Sequence, residues 1–233
     1  MSSPIQCDLD NAFGVLRYLM GTVGKPQSTL TLHRNERYHN SKGNGQCPIH
    51  LLCDADLSNY RETRRSRTGY CCYLFGNLVG WSARRQKSVS LSTAESEYVA
   101  LSECAQFGKW YKGLVTDMGL ELAHFRPIVI LSDSASAITI AESPVHVINK
   151  YSKHIERRVH WFREQVRNDT LRIQFVPGTN NIADLFTKCL GAVVFRKYRD
   201  SLLNGDFRVL ETCGTFMCIV DDATFPFTKV IRT

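Results

Sequence analysis

The chain has 233 residues, and 43% of them are hydrophobic, so it can form one substantial domain with a buried core. Its 29 Lys and Arg residues outnumber its 22 Asp and Glu residues, and the net charge of +7 favours polyanionic partners such as nucleic acid, although solubility alone also accounts for such a charge. The N-terminus shows no signal-peptide pattern, and no apolar run approaches the ~18 residues that span a bilayer, so we expect neither secretion nor a membrane partner.

The cysteines indicate a reducing compartment. There are nine of them, an odd number, with no CxxC pair, which is unlike a disulfide framework. A zinc site is an alternative use of the thiols and imidazoles of His33, His39, Cys47, His50 and Cys53. Their spacing matches no familiar zinc finger, so we favour unpaired thiols.

The first predicted element is a helix over residues 9–20, where apolar side chains recur at helical spacing. Alternating residues predict a short strand over 28–32, and the polar residues 34–47 predict a loop.

Three further strands are predicted over residues 49–54, 69–75 and 78–82. A basic loop at 57–68 joins the first two, and Gly76-Asn77 forms a turn between the last two. We expect these strands to form a three-stranded antiparallel meander.

The second half of the chain alternates helices and strands. Ser92 or Thr93 is a suitable cap for a helix over residues 93–118, and an apolar run predicts a strand over 128–132. The remaining predicted elements are a helix over 134–142, a basic amphipathic helix over 154–168, a strand over 171–176 and a helix from Asn180-Asn181 to about Lys188. The predicted order, β-β-β-α-β-α-α-β-α, is typical of a mixed α/β sheet with helices on its faces.

Four acidic residues lie in four separate segments: Asp54, Glu97, Asp133 and Asp184. Carboxylates at strand ends and helix starts can converge, and a converged set holds hard divalent cations through oxygen ligands. Two such ions can drive in-line cleavage of a phosphodiester. Each residue also has a structural alternative, since Asp133 can act as a helix cap and Asp184 as an acid in a helix's first turn.

Several motifs in order resemble the ribonuclease H domain at the end of the polyprotein of copia-class LTR retrotransposons. The motifs are Cys53-Asp54-Ala55-Asp56, Gly80-Trp81-Ser82-Ala83-Arg84-Arg85-Gln86-Lys87, Leu91-Ser92-Thr93-Ala94-Glu95-Ser96-Glu97-Tyr98, Ser132-Asp133-Ser134, Lys153-His154-Ile155, and Val176-Pro177-Gly178 with Ala183-Asp184 and Thr187-Lys188. The chain departs from the family in having Leu57 where Trp is frequent, and no His in the loop before Asp184.

The resemblance implies a ribonuclease H-like mixed five-stranded sheet, with three antiparallel strands, then two further strands, and helices on both faces. It implies a metal-dependent endonuclease that hydrolyses the RNA strand of RNA–DNA hybrids. The implied catalytic and metal-binding residues are Asp54, Glu97, Asp133 and Asp184. Glu95, two residues from Glu97, is then a partner of the helix dipole. The implied cofactor is Mg²⁺, with two ions bound, and Mn²⁺ is a substitute of similar ligand preference.

The resemblance also implies a domain organisation. Residues 1–48 are expected to be a remnant of the reverse transcriptase connection segment, 49–192 the ribonuclease H-like domain, and 193–233 a C-terminal extension of unknown role. The expected partners are an RNA–DNA hybrid and a reverse transcriptase domain, with no small-molecule cofactor. The expected location is cytoplasmic, including retroelement particles, or nuclear.

Basic and hydroxyl side chains are expected to bind the nucleic acid by contacting its phosphates and 2′-hydroxyl groups. The predicted nucleic-acid-binding residues are Arg64, Arg65, Ser66, Arg84, Arg85, Lys87, Ser134, Lys153, His154 and Arg157. Trp81 is expected in the core rather than stacked near the duplex. Two other functions stay open: a nucleic-acid-binding module without catalysis, and a structural subunit that supports a separately encoded polymerase.

Overall fold

The computed structural model describes residues 6–23, 48–57, 63–120, 127–142 and 153–204. The predicted strand at 28–32, the loop at 34–47 and most of the C-terminal extension lie outside the described residues, as do three of the five residues of the zinc alternative. None of the described helices is long and apolar enough to cross a membrane.

The described residues form five strands, five α-helices and two short 3₁₀ helices. In chain order they are α1 (Gln6–Thr22), β1 (Ile49–Asp56), β2 (Arg67–Leu74), β3 (Asn77–Arg85), α2 (Thr93–Asp117), β4 (Ile128–Ser132), α3 (Ala135–Glu142), α4 (Lys153–Arg167), β5 (Leu171–Phe175), the 3₁₀ helices Gly178–Asn180 and Ile182–Phe186, and α5 (Ala192–Asn204).

The strands form one mixed sheet in the order β3-β2-β1-β4-β5. The first three strands pair antiparallel, whereas β4 is parallel to β1 and β5 is parallel to β4. The predicted five-stranded sheet, with an antiparallel meander followed by two further strands, is therefore confirmed.

Helices cover both faces of the sheet. Successive residues of a strand face opposite sides, so the apolar strands present side chains to both faces. On β1, Leu51 joins a core cluster with Phe162 of α4, whereas its neighbour Leu52 joins a second cluster with Ile182 and Tyr198. The second cluster includes α5, a helix that the sequence analysis did not predict.

Four local predictions need correction. β1 continues to Asp56 rather than ending at Asp54. The β2–β3 turn lies at Phe75-Gly76, one residue earlier than predicted, and both residues have positive φ, as a two-residue type I′ hairpin turn requires. The predicted helix from Asn180 to Lys188 is instead two 3₁₀ segments. Trp81 is 59% exposed rather than in the core, because β3 is an edge strand of the sheet.

Candidate metal centre

Three of the four predicted acids meet at one end of the sheet, where strands β1 and β4 finish. β1 and β4 are adjacent and parallel, so their carboxyl ends lie side by side; Asp54 is near the end of β1, and Asp133 directly follows β4. Asp184 comes from the 3₁₀ helix Ile182–Phe186. One carboxylate oxygen from each of these residues lies within 4.8 Å of the others.

Asn181 fixes the 3₁₀ helix against both strand ends. Its side chain is fully buried, and its Nδ2 donates to the Cys53 carbonyl oxygen at 3.0 Å and to Asp133 Oδ1 at 3.1 Å. Its Oδ1 accepts a hydrogen bond from the Ala183 backbone, which caps the 3₁₀ helix. One amide side chain thus joins β1, Asp133 and the segment that carries Asp184.

Asp54 is the buried centre of the cluster. Thr187 Oγ1 donates a hydrogen bond to Asp54 Oδ2, and Lys188 Nζ lies 3.2 Å from Asp54 Oδ1. Burial raises the pKa of Asp54 to about 6, and the charges of Asp184 and Asp133 add to the rise, while Thr187 and Lys188 oppose it. Burial of the charged carboxylate therefore outweighs the stabilisation that Thr187 and Lys188 provide.

Lys188 also contacts the second aspartate, with its Nζ 2.7 Å from Asp184 Oδ1. Burial lowers the pKa of Lys188, but hydrogen bonds and charge interactions with Asp184 and Asp54 outweigh burial and raise it above its usual range. The ammonium group is held in its charged form beside the cluster.

Glu97 does not belong to this group of three aspartates, but it is close enough to interact electrostatically with Asp54 and Asp133. Burial raises the pKa of Glu97 to about 9, with further contributions from the charges of Asp54 and Asp133, while a hydrogen bond from the Ala55 backbone opposes the rise. Among the described residues, its buried Oε2 atom has no hydrogen-bond partner. A buried carboxylate oxygen without a partner can accept a further hydrogen bond or coordinate a cation.

Glu95 has a different role from Glu97. Its Oε2 accepts from the Leu91 backbone at 2.9 Å, while its own backbone N–H donates to Ser92 Oγ at 3.2 Å. These two hydrogen bonds stabilise the start of α2, whereas the role of Glu95 as a partner of the helix dipole stays a prediction.

The donor set fits a hard divalent cation. All the converging atoms are carboxylate oxygens, which suit Mg²⁺ and Mn²⁺ and not the thiolate-preferring metals. The buried Oε2 of Glu97 adds one more such oxygen beside the cluster. Asp54, Asp133, Asp184 and Glu97 are therefore the residues that would hold the ion.

Basic side chains lie at the same end of the sheet as the acids. In the strand register Asp56 stands opposite Arg67, and Arg67 stands opposite Arg85. The predicted nucleic-acid-binding residues that are exposed around this end are Arg64, Arg65, Arg84, Arg85 and Lys87. The sheet thus places positive charge at the same end as the cluster.

The remaining predicted nucleic-acid-binding residues differ in how exposed they are. Ser66 is fully buried and offers no atom to a nucleic acid, which corrects its prediction. Ser134 directly follows Asp133, is half-buried and accepts a hydrogen bond from the Ala137 backbone at 3.3 Å. Arg157 is exposed on α4; Lys153 and His154 begin the same helix, but their side chains are not among the described features.

Three residues of the site were not among the predicted ones: Asn181, Thr187 and Lys188. Two signals pointed to Lys188. Thr187-Lys188 belongs to the motifs of the family resemblance, and Lys188 lies four residues after Asp184, a spacing at which residues face one another in helical segments. Nothing in the sequence indicates that Asn181 reaches β1, 128 residues earlier.

Gly69 permits the close approach of the Asp184 segment to the sheet. A Cβ at this position would lie 2.7 Å from Phe186 Cβ and 2.7 Å from Thr187 Cγ2. We expect Gly69→Ala to destabilise the protein by about 1–3 kcal/mol in chemical unfolding, because these atoms must move. The control is Gly113→Ala in α2, where a Cβ meets nothing within 4 Å; it should be neutral or stabilising by up to about 1 kcal/mol. Equal effects of the two changes would contradict the close contact.

The sequence has relatives among transposon proteins, although no protein-family model matches it. It is 32% identical over 200 residues, 86% of this chain, to the retrovirus-related Pol polyprotein from transposon RE2 of Arabidopsis thaliana. It is 32% identical over 174 residues, 75% of this chain, to that from transposon TNT 1-94 of Nicotiana tabacum. The chain spans 12% of the length of each.

Among solved structures, the chain resembles LC11-RNase H1, which was isolated from compost by a metagenomic approach. The two are 14% identical with a TM-score of 0.45, and the match covers 61% of this chain and 94% of the other. The sequence relatives confirm the family resemblance: the homologues of this chain are retrovirus-related Pol polyproteins from plant transposons.

Proposed function

We propose that the chain is a ribonuclease H-type endonuclease that hydrolyses the RNA strand of RNA–DNA hybrids with the help of Mg²⁺. The observation that carries this proposal is the convergence of Asp54, Asp133 and Asp184 within 4.8 Å. The homology to retrovirus-related Pol polyproteins supports it. Divalent cations bound there would activate a water molecule and stabilise the leaving oxygen.

The protein's own residues prepare this site. Asn181 holds Asp133 and the Asp184 segment in one orientation, and Thr187 orients the Asp54 carboxylate. Without a cation Glu97 carries its proton at neutral pH, because its pKa is about 9. A divalent cation adds positive charge and should therefore stabilise the ionised carboxylates of the cluster.

The substrate proposal rests on the charge beside the acids. Arg84, Arg85 and Lys87 are exposed at the end of β3 and can contact phosphates, which position a nucleic acid without reading its sequence. We propose that Ser134, which follows Asp133 in the sequence, contacts a 2′-hydroxyl, the group that distinguishes RNA from DNA. A reverse transcriptase domain is a further partner that the homology supports.

Cleavage of an end-labelled RNA strand tests the proposal. The 233-residue chain is incubated with an RNA–DNA hybrid, the same RNA alone and double-stranded DNA, each with Mg²⁺ and with EDTA. We expect internal cuts in the RNA of the hybrid, with Mg²⁺ only. Binding of the hybrid without any cut would instead indicate a nucleic-acid-binding module.

The basic end of β3 should set the salt dependence of hybrid binding. We expect the double change Arg85→Ala and Lys87→Ala to reduce the slope of log affinity against log salt by about two, since each lost phosphate contact removes about one unit. The control is Arg172→Ala on β5 at the opposite edge of the sheet, where the side chain is 3.4 Å from Asp169. Fluorescence anisotropy at several salt concentrations measures the slope, and an unchanged slope in the double variant would exclude this surface.

A further inference from the structure

The ammonium group of Lys188 lies where the cluster would hold a cation. Its Nζ is 3.2 Å from Asp54 Oδ1 and 2.7 Å from Asp184 Oδ1. Both residues belong to the group of three whose oxygens converge within 4.8 Å. A single side chain therefore contributes positive charge to two of the three converging carboxylates.

Lys188 is anchored through its backbone, and its side chain is partly exposed. Its backbone N–H donates to the Asp184 carbonyl oxygen at 3.0 Å, which anchors the residue to the 3₁₀ helix. Its side chain is 40% exposed, whereas that of Asp54 is 1% exposed. A lysine has a flexible four-carbon stem, so the ammonium group can move into solvent while the carboxylates stay in place.

We propose that Lys188 is a positioning residue that holds Asp54 and Asp184 together in the metal-free protein and competes with the divalent cation for their oxygens. The inference rests on the proposed function, since it concerns the same carboxylates. Removing the lysine charge leaves the metal-free cluster with less compensation, while the metal-bound cluster is compensated by the ion. The metal-free state therefore rises in free energy relative to the bound state, and the apparent affinity for the ion increases.

Metal affinity is the direct test. Isothermal titration of the full chain with MnCl₂ compares the wild type with Lys188→Met, which keeps the length of the side chain without its charge. We expect the dissociation constant of Lys188→Met to be lower by about three- to tenfold, the scale of ion pairs at a half-exposed site. Lys188→Arg, which keeps the charge, should remain close to the wild type.

The matched control is Lys197→Met on α5, whose ammonium group contacts the neutral Thr179 carbonyl oxygen at 3.3 Å instead of a carboxylate. It removes the same charge from the surface and should leave the dissociation constant unchanged. Thermal unfolding provides a second measurement: Lys188→Met should unfold at a lower temperature than the wild type in EDTA, and Mn²⁺ should raise its unfolding temperature by more.

A failure of the role proposed for Lys188 can be distinguished from a failure of the proposed metal site. If Lys188→Met binds Mn²⁺ no more tightly than the wild type, the role of Lys188 is wrong while the metal site stands. If neither protein binds Mn²⁺ although both unfold cooperatively, the metal site itself, and with it the proposed function, is wrong.

Discussion

Replacing Asp54 by asparagine is expected to reduce Mg²⁺-dependent cleavage of the hybrid by about a thousandfold or more. Asp54 contributes an oxygen to the cluster and is 1% exposed, so water cannot substitute for the lost charge. Loss of metal-based stabilisation of several kcal/mol corresponds to a rate change of this size. Single-turnover cleavage of the labelled RNA strand measures the effect.

The control for Asp54→Asn is Asp169→Asn, which changes an aspartate whose side chain is 63% exposed, in the turn before β5. It should cleave at the rate of the wild type. Circular dichroism should show the same secondary structure for both variants. Cleavage by folded Asp54→Asn within tenfold of the wild type would remove Asp54 from the catalytic residues.

Replacing Glu97 by glutamine is expected to remove a pH dependence of stability in the metal-free protein. The pKa of Glu97 is about 9 in the folded chain, above the ordinary 4.5 expected on unfolding. Because the folded pKa is raised, the contribution of Glu97 to the unfolding free energy is fully present below pH 4.5 and is lost as pH rises towards 9. Between pH 6.5 and 8 this loss amounts to about 2 kcal/mol, at 1.36 kcal/mol per pKa unit.

The measurement is the difference in unfolding free energy between wild type and Glu97→Gln in EDTA at the two pH values. Groups that do not interact with Glu97 cancel in this difference, including His50, whose pKa burial lowers to about 3, and Cys71, whose pKa burial raises to about 12. From pH 6.5 to 8, the unfolding free energy of the wild type should fall by about 2 kcal/mol more than that of Glu97→Gln. Parallel pH profiles would show that Glu97 is ionised in the folded protein.

The sheet and the strand-borne acids could be predicted because their signals are local. An apolar run ending in an aspartate marks the end of a buried strand, as at Asp133, and a parallel partner brings a second such end alongside. The capping pattern around Ser92 and Glu95 likewise fixes where α2 begins. The structure brings Asp54, Asp133 and Asp184 together, whereas their roles and that of Glu97 stay predictions.

The features that were missed depend on contacts between distant segments. The segment after Asn180 has helical composition, yet the hydrogen bonds of Asn181 to Cys53 and Asp133 hold it as short 3₁₀ turns. Trp81 was expected in the core because it is an aromatic residue in a strand. Its exposure follows from the position of β3 at the edge of the sheet. For α5 a local signal existed, since Tyr198 and Leu202 are spaced for one helix face, and both pack into the second core cluster.

The most direct measurement of the central claim is anomalous diffraction from crystals of the chain grown with MnCl₂. We expect an anomalous peak bounded by the carboxylates of Asp54, Asp133 and Asp184, with Lys188 Nζ displaced from its contacts at 3.2 and 2.7 Å. An ordered cluster with no anomalous peak at saturating Mn²⁺, and Lys188 still in place, would contradict it.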